Sequence, residues 1–168
     1  ADRTIWIEYG LQSASDDTLA RINRGHTAAC FSDAVAASRG RGIRICAHVI
    51  LGLPGETREQ MMNTADFIAH AGIDGVKIPL LYVVRGTELA RWYRAGTYQC
   101  LTQDEYVARV CDFLQRLPEN MVIQRLTGDP HRAELVAPAW SLDKAGTLAK
   151  IRKRLAALDT WQGEKYKD

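Results

Sequence analysis

The sequence lacks an apolar stretch long enough to cross a bilayer, and its first residues do not form a secretory signal. Its 4 cysteines, Cys30, Cys46, Cys100 and Cys111, show neither CxxC spacing nor a cluster with histidines. These absences argue against a disulfide framework and against a metal site, because both need closer spacing or a secreted context. We therefore expect a cytoplasmic chain with reduced thiols, no membrane partner and no metal ligands of its own.

A strong charge of either sign is also lacking, since the formal net charge of +2 is too small to indicate a nucleic-acid partner for the whole chain. What is present is a chain of 168 residues, 46% of them hydrophobic, which can bury one sizeable core. Strand-like and helix-like patterns alternate up to Gly96 and become mostly helical beyond it. We therefore expect two parts, residues 1–96 and residues 97–168. The chain starts at Ala1 without a methionine and enters a strand pattern almost at once, as if cut from a longer protein.

Apolar runs predict strands over residues 4–11, 44–51, 75–83 and 121–126. Amphipathic patterns predict helices over residues 16–23, 28–41, 58–71, 88–95, 102–116 and 143–158, with a short helical segment over residues 129–136. A capping box that begins at Thr102 opens the fifth of these helices, and Ser141 caps the last. This alternation predicts an α/β fold with a parallel sheet and right-handed crossovers. The strand and helix units are too few to close a barrel, so we expect an exposed sheet edge at the start.

The chain is organised around residues 48–57, an apolar strand that breaks into Gly-Leu-Pro-Gly-Glu and then a helix capped by Thr57. Ligands of parallel α/β folds bind at the carboxyl ends of the strands, where Gly52 and Glu56 would lie. The turn is either an ordinary connection between strand and helix or a place of close backbone approach to a small ligand. It is not a phosphate loop, because GxxxxGK[ST] is absent.

Several polar residues interrupt the predicted strands or follow them. Glu8 needs a partner or a solvated cavity if it is buried, and the alternative is an edge strand with Glu8 in water. Gln12 is either a turn residue or a hydrogen-bonding ligand, and Lys77 either reaches solvent or points into a site. His48 is by default a hydrogen-bonded core histidine. A complete small enzyme that uses Glu8 and Glu56 as acid and base would need the two carboxyl groups to converge.

Two further sets of basic residues have simple explanations. Arg24 and His26 follow a short helix and are by default a pair serving its carboxyl end. Arg152, Lys153 and Arg154 lie on the last helix, where a solvated face is the default and a nucleic-acid surface the alternative.

The ordered motifs resemble the second half of a radical SAM enzyme. The likeness is to the uncharacterised YhcC-like iron–sulfur oxidoreductases and more distantly to the Elongator catalytic subunit and oxygen-independent coproporphyrinogen oxidase. The residues that carry it are Tyr9-Gly10-Leu11-Gln12-Ser13, Asn23-Arg24-Gly25-His26, residues 48–57, Gly75-Val76-Lys77-Ile78, Gly86-Thr87, Arg125-Leu126-Thr127-Gly128, Trp140-Ser141-Leu142-Asp143-Lys144 and Gln162-Gly163. No single motif decides the resemblance, but the ordered set covers nearly the whole chain.

The resemblance implies parallel strands four to six of a partial (β/α)6 TIM-like barrel, followed by a mainly helical extension. It also implies a [4Fe-4S] cluster that donates an electron to S-adenosylmethionine (SAM), whose deoxyadenosyl radical abstracts hydrogen from a substrate. The residues implied as contacts to SAM are Glu8, Gln12, Ile50, Gly52, Glu56, Leu80 and Tyr82. Lys77 and His48 are the residues expected to line the substrate cavity.

The sequence departs from that family in one large respect, because the cysteine motif that binds the cluster is absent. We therefore expect a catalytically incomplete half that is inactive alone and carries no bound cofactor. Its expected partners are the missing N-terminal half of the same protein and SAM. The alternative is an RNA-binding or protein-interaction module that uses the basic C-terminal helix.

Overall fold

The structure, a computed structural model, describes residues 4–167, so that Ala1, Asp2, Arg3 and Asp168 lie outside the described residues. Its strands are β1 (Trp6–Gln12), β2 (Arg44–Val49), β3 (Gly75–Lys77), β4 (Val83–Val84), β5 (Val122–Arg125) and β6 (Leu135–Ala137). Its helices are α1 (Asp16–Arg21), α2 (Ala28–Ser38), α3 (Arg58–Ala69), α4 (Glu88–Arg94), α5 (Gln103–Leu114) and α6 (Lys144–Ala157), and a 3-10 turn spans Ala139–Leu142. No helix in the described part of the chain is long and apolar enough to cross a membrane.

The centre of the fold is a parallel sheet in the order β1-β2-β3-β5. The predicted α/β class with a parallel sheet is therefore confirmed. Strand β1 is the outer strand, and within residues 4–167 nothing pairs with its free side. Because β5 comes from residues 97–168 and joins the same sheet, the two expected parts share one sheet, and the boundary near Gly96 stays a prediction.

The third predicted strand, over residues 75–83, is wrong in its second half. Strand β3 ends at Lys77, and Leu80 makes only an isolated bridge to Leu51. Pro79 explains the break, since proline has no N–H to donate to a neighbouring strand. Strand β4 then pairs antiparallel with β6 in a separate small sheet.

Two helix predictions near the C-terminus are also wrong. Residues 129–136 are not helical, because their last two residues begin β6, which pairs with β4. The cap of α6 is Asp143, which accepts from the N–H of Gly146, whereas Ser141 donates to the carbonyl of Pro138 within the 3-10 turn. The predicted caps Thr57 and Thr102 are confirmed, and each belongs to a capping box.

The main core lies between one face of the parallel sheet and helices α2, α3 and α5. Its members are aliphatic side chains that alternate along the strands together with the apolar stripes of the helices, and they include Leu11, Val49, Val76, Ile78, Ile68 and Phe113. Helix α6 packs on α5. Because this face is filled, the functional side chains have to lie on the opposite face of the sheet or at the ends of its strands.

Candidate functional site

The polar side chains of the central strands share the sheet face that is turned away from the core helices. In β1, Leu11 lies in the core and Tyr9 hydrogen-bonds Ser38 of α2, so the alternate residues Glu8 and Gly10 point the other way. The register places His48 beside both Gly10 and Lys77. We call this surface, defined by Glu8, Gly10, His48 and Lys77, the polar face.

Glu8, His48 and Lys77 form one hydrogen-bonded cluster across three adjacent strands. The Nε2 atom of His48 lies 2.6 Å from Oε2 of Glu8, and the ammonium of Lys77 donates to Oε1 of the same carboxylate. The hydrogen bond from Lys77, and then that from His48, holds the pKa of Glu8 below its ordinary value. Glu8 is thus both paired and partly solvated, with 40% of its side chain exposed. His48 belongs to this ionic cluster, so its default interpretation as a core histidine is wrong.

A second group of donors gathers at Gly10, two residues closer than Glu8 to the carboxyl end of β1. Arg24 Nη2 and His26 Nε2 both donate to the carbonyl of Gly10, each at 3.0 Å. A Cβ atom on Gly10 would lie 2.6 Å from the amide nitrogen of Gln12 and 2.7 Å from Arg24 Nη2, so the glycine leaves room for both groups. The Nε atom of Arg24 is buried and has no partner within residues 4–167.

Arg24 and His26 are therefore not a pair serving the end of a helix, as their position in the sequence suggests. Backbone N–H groups close the end of α1 instead, with Ile22 bonding the carbonyls of Thr18 and Ala20 and Arg24 bonding that of Leu19 through its main chain, while the side chains of Arg24 and His26 turn to Gly10. The signal that could have found their role is the glycine at position 10, in the middle of a strand, where glycine often marks the close approach of another group.

The turn after β2 binds the turn after β1. Glu56 accepts a hydrogen bond of 2.5 Å from the hydroxyl of Ser13, and its second oxygen is buried without a partner among the described residues. Burial raises the pKa of Glu56 to about 7, while the hydrogen bond from Ser13 lowers it in part. Glu56 and Glu8 share no partner, so the structure gives no support to a converging acid–base pair.

The remaining residues predicted to contact SAM lie around the same strand ends. The N–H of Ile50 donates to the carbonyl of Gln12 at 2.9 Å, and Leu80 bridges Leu51. Tyr82 packs against Gly128, where a Cβ would lie 3.0 Å from the ring. These contacts place the residues near one another and do not test their role, so the predicted SAM contacts stay a prediction.

The close approach expected at Gly52 is made by the protein's own side chains. Gly52 has a φ of +84°, and a Cβ there would lie 2.9 Å from Cδ1 of Leu101. Its carbonyl accepts a hydrogen bond from the hydroxyl of Tyr98 at 3.1 Å. The glycine is therefore explained by packing of residues 98–101 onto the turn.

Comparison with family models decides the assignment. Residues 2–68 match the Radical SAM superfamily, and residues 73–157 match the Radical_SAM C-terminal domain. The chain belongs to the radical SAM superfamily. The family predicted from the ordered motifs is thereby confirmed.

The chain is similar to longer proteins of this superfamily. It is 39% identical to the uncharacterized protein YtqA of Bacillus subtilis, over 95% of this chain and 50% of that protein. It is 35% identical to protein YhcC of Escherichia coli, over 81% of this chain and 44% of that protein. The chain thus spans about half the length of the curated relatives it matches.

A solved structure shows the same fold. The archaeal Methanocaldococcus infernus Elp3 with an N-terminal deletion superposes with a TM-score of 0.82 at 20% identity, covering 94% of this chain and 37% of that one. At this identity the likeness shows the fold alone. It bears out the predicted partial barrel with a helical extension.

The two cofactors of a radical SAM enzyme fit the described residues differently. No group of three or more histidine, cysteine or acidic side chains within residues 4–167 could hold a metal ion, and Cys46 and Cys111 are buried. A [4Fe-4S] cluster therefore does not fit this chain's own residues. SAM does fit, because its carboxylate needs donors: Nη2 of Arg24 and the amide nitrogen of Gln12 both lie within 3 Å of the position that a Cβ of Gly10 would take, and Nε of Arg24 is buried without a partner among the described residues.

Proposed function

We propose that this chain is the C-terminal half of a radical SAM enzyme and supplies the wall that binds SAM and the substrate. The observation that carries the proposal is the gathering of Arg24 and Gln12 around the position that a Cβ of Gly10 would take, at the carboxyl end of β1. In this arrangement Arg24 and Gln12 bind the amino acid end of SAM. Ile50, Leu80 and Tyr82 lie around the adenine, Gly52 shapes the turn beside it, and Glu56 holds the two turns together.

Arg24 and Gln12 would hold SAM, which would supply a carbon radical for taking a hydrogen atom from the substrate once an iron–sulfur cluster outside this chain had given it one electron. The chain's own residues bind and orient it, and Lys77 and His48 line the substrate cavity next to Glu8. The iron–sulfur cluster belongs to an N-terminal half that completes the barrel along the free edge of β1. The chain alone is therefore inactive, and the complete protein is an oxidoreductase-like enzyme of the cytoplasm.

Anaerobic reconstitution tests whether the chain is an incomplete half. The chain alone, supplied with iron and sulfide, should give no iron–sulfur chromophore and release no deoxyadenosine from SAM under reducing conditions. Coexpression with the cysteine-bearing half should produce both signals. A chromophore and SAM cleavage from the chain alone would overturn the proposal.

SAM binding to the assembled protein tests the role assigned to Arg24. Arg24→Met should raise the dissociation constant of SAM by about tenfold or more, because a charge-assisted hydrogen bond is lost. Arg41→Met is the matched control, since Arg41 is exposed and bonds only the carbonyl of Ala37 within residues 4–167. Equal SAM affinity in the two variants would contradict the assignment of Arg24.

RNA binding by the C-terminal helix is a second candidate function. Arg152, Lys153 and Arg154 are exposed and form no ion pair within the described residues, whereas Lys144 and Lys150 are bound by Asp129 and Asp104. Three uncompensated cations on one helix are suited to phosphate contacts.

Affinity for tRNA as a function of salt tests this candidate. The affinity should fall steeply as the salt concentration rises, and neutralising Arg152, Lys153 and Arg154 should lower both the affinity and the salt slope. Neutralising the paired residues Lys144 and Lys150 should have the smaller effect. Binding that is absent or independent of salt would count against an RNA partner.

A further inference from the structure

The cluster of Glu8, His48 and Lys77 offers hydrogen-bond donors to a ligand. Each oxygen of Glu8 already accepts one bond, one from Lys77 and one from His48. An ionised carboxylate only accepts, so Nε2 of His48 is the protonated nitrogen in this pair. The ammonium of Lys77 has two further protons, and neither they nor Nδ1 of His48 has another partner within residues 4–167. The free charged donors of the cluster are therefore the two remaining ammonium protons of Lys77, because Nδ1 of a neutral imidazole accepts and becomes a donor only when His48 is protonated.

The cluster is open to a ligand and contributes little to stability as an ion pair. The exposed fractions of the side chains are 19% for Lys77, 33% for His48 and 40% for Glu8. Partly solvated ion pairs add little to the free energy of folding. Three ionisable groups that converge on the middle of a sheet, away from its core face, are instead typical of a functional site.

Other residues flank this cluster on the polar face, toward both ends of the strands. Below it the ring of Trp6 covers Gly75, where a Cβ would lie 3.0 Å from Cζ3 of the tryptophan. Above it lie Gly10 and the donors of Arg24 and Gln12. Four residue steps lead from Glu8 to Gln12, which corresponds to about 13 Å of extended chain. This distance is comparable to the length of a small organic molecule.

We propose that Lys77 and His48, oriented by Glu8, bind an oxyanion of the substrate, so that the substrate is an acidic molecule carrying a carboxylate or a phosphate. This inference rests on the proposed function, because it assigns the substrate class of the same cavity. Lys77 gives the charged contact, and His48 adds a second donor when it is protonated. Glu8 is a positioning residue, since each of its oxygens accepts from one of the two residues it orients.

Nuclear magnetic resonance of the 168-residue chain, labelled with 15N in histidine, lysine and arginine, tests the proposal directly. The probes are succinate and inorganic phosphate at constant ionic strength, with succinamide as the neutral counterpart of succinate. We expect succinate, phosphate or both to shift the His48 and Lys77 signals in a saturable way, and succinamide to leave them unchanged. A carboxylate preference and a phosphate preference are distinguished by comparing the two dissociation constants.

The variants compare Lys77 with another paired lysine. Lys77→Met should weaken anion binding at least tenfold, whereas Lys77→Arg should keep it within a few fold. Lys150→Met is the matched control, because Lys150 is also paired with one carboxylate but lies on the exposed side of α6. Circular dichroism of each variant verifies that it is folded. Absence of a saturable shift in the wild type, or equal weakening by Lys77→Met and Lys150→Met, would overturn the inference.

Titration with SAM separates this inference from the proposed function. SAM is expected to perturb the arginine side-chain signal of Arg24, and Lys77→Met should bind SAM like the wild type. If SAM binds but the anions do not, only the substrate inference fails. If the anions bind at Lys77 but SAM does not bind even to the assembled protein, the proposed function fails and the anion site remains.

Discussion

At the scale of single residues, Glu56 is the side chain whose protonation changes most on folding around the site. Its pKa is raised by burial from an ordinary value of 4.5 to about 7. Between these pH values the folded chain keeps a proton that the unfolded chain has released. Stability therefore falls as the pH rises through this range and becomes constant above about pH 7.

We expect Glu56→Gln to remove this dependence on pH. The shift in pKa corresponds to about 3 kcal/mol at most. The free energy of unfolding of the wild type should therefore fall by about 2 to 3 kcal/mol relative to that of the variant between about pH 5 and pH 8. Urea denaturation at several pH values measures this free energy. Glu59→Gln, at an exposed carboxylate of the adjoining helix, is the control and should keep the slope. Parallel curves for wild type and Glu56→Gln would show that Glu56 is not protonated in the folded chain.

The sequence revealed the identities of most polar-face residues but not their pairings. Glu8 and Lys77 stand out because each interrupts an apolar strand, and their contact depends on the register across β2. Arg24 and His26 were assigned to the end of a helix, because local sequence cannot show that a side chain folds back to a carbonyl 14 or 16 residues away.

At the scale of elements, the turn at Gly52 couples the parallel sheet to the segment before α5. Leu101 fills the space beside Gly52 and its carbonyl accepts from the indole of Trp140 at 3.1 Å. Tyr98 donates to the carbonyl of Gly52. The turn that follows β2 is thus held from outside the sheet by residues 98–101.

Gly52→Ala should destabilise the chain through both backbone strain and a clash with Leu101. The matched control is Gly86→Ala, because Gly86 has a φ of +81° close to the +84° of Gly52 but open space around its Cα. We expect the free energy of unfolding, measured by chemical denaturation, to fall by about 1 to 2 kcal/mol in the control and by about 2 to 4 kcal/mol in Gly52→Ala. Equal losses would mean that Leu101 moves aside without cost.

Elements were predictable from the sequence where a local signal defines them. The capping residues Thr57 and Thr102 and the apolar stripes of α3 and α5 gave helices whose bounds agree with the structure within a few residues. Strand β6 was missed because its three residues acquire their structure from pairing with β4, a contact of long range in the sequence. The break at Pro79 was visible in the sequence, since proline cannot donate to the sheet.

At the scale of the whole molecule, the free side of β1 is the surface that the proposed N-terminal half must cover. The carbonyl of Ile5 accepts from Arg44 at the start of β2 and that of Gln12 from Ile50 just after its end, with a change of register between Gly10 and Gln12. Alternation along the strand therefore turns the carbonyl of Gly10 and the backbone groups of Glu8 toward the free edge. Arg24 and His26 donate hydrogen bonds to the carbonyl of Gly10. The free edge of β1 is therefore protected at its carboxyl end and unpaired nearer its amino end, at Glu8.

This asymmetry predicts where a partner strand pairs. In the chain alone the amide of Glu8 should exchange with solvent rapidly, whereas those of Ala47 and Val49 in the inner strand β2 should be protected. Assembly with the N-terminal half should slow exchange at Glu8 by about tenfold or more and change β2 little, because a new strand hydrogen-bonds only the edge. Hydrogen exchange followed by nuclear magnetic resonance measures this for each amide. Protection of Glu8 in the chain alone, or exchange unchanged by assembly, would place the partner elsewhere, and the polar face would then have to be completed from a different side.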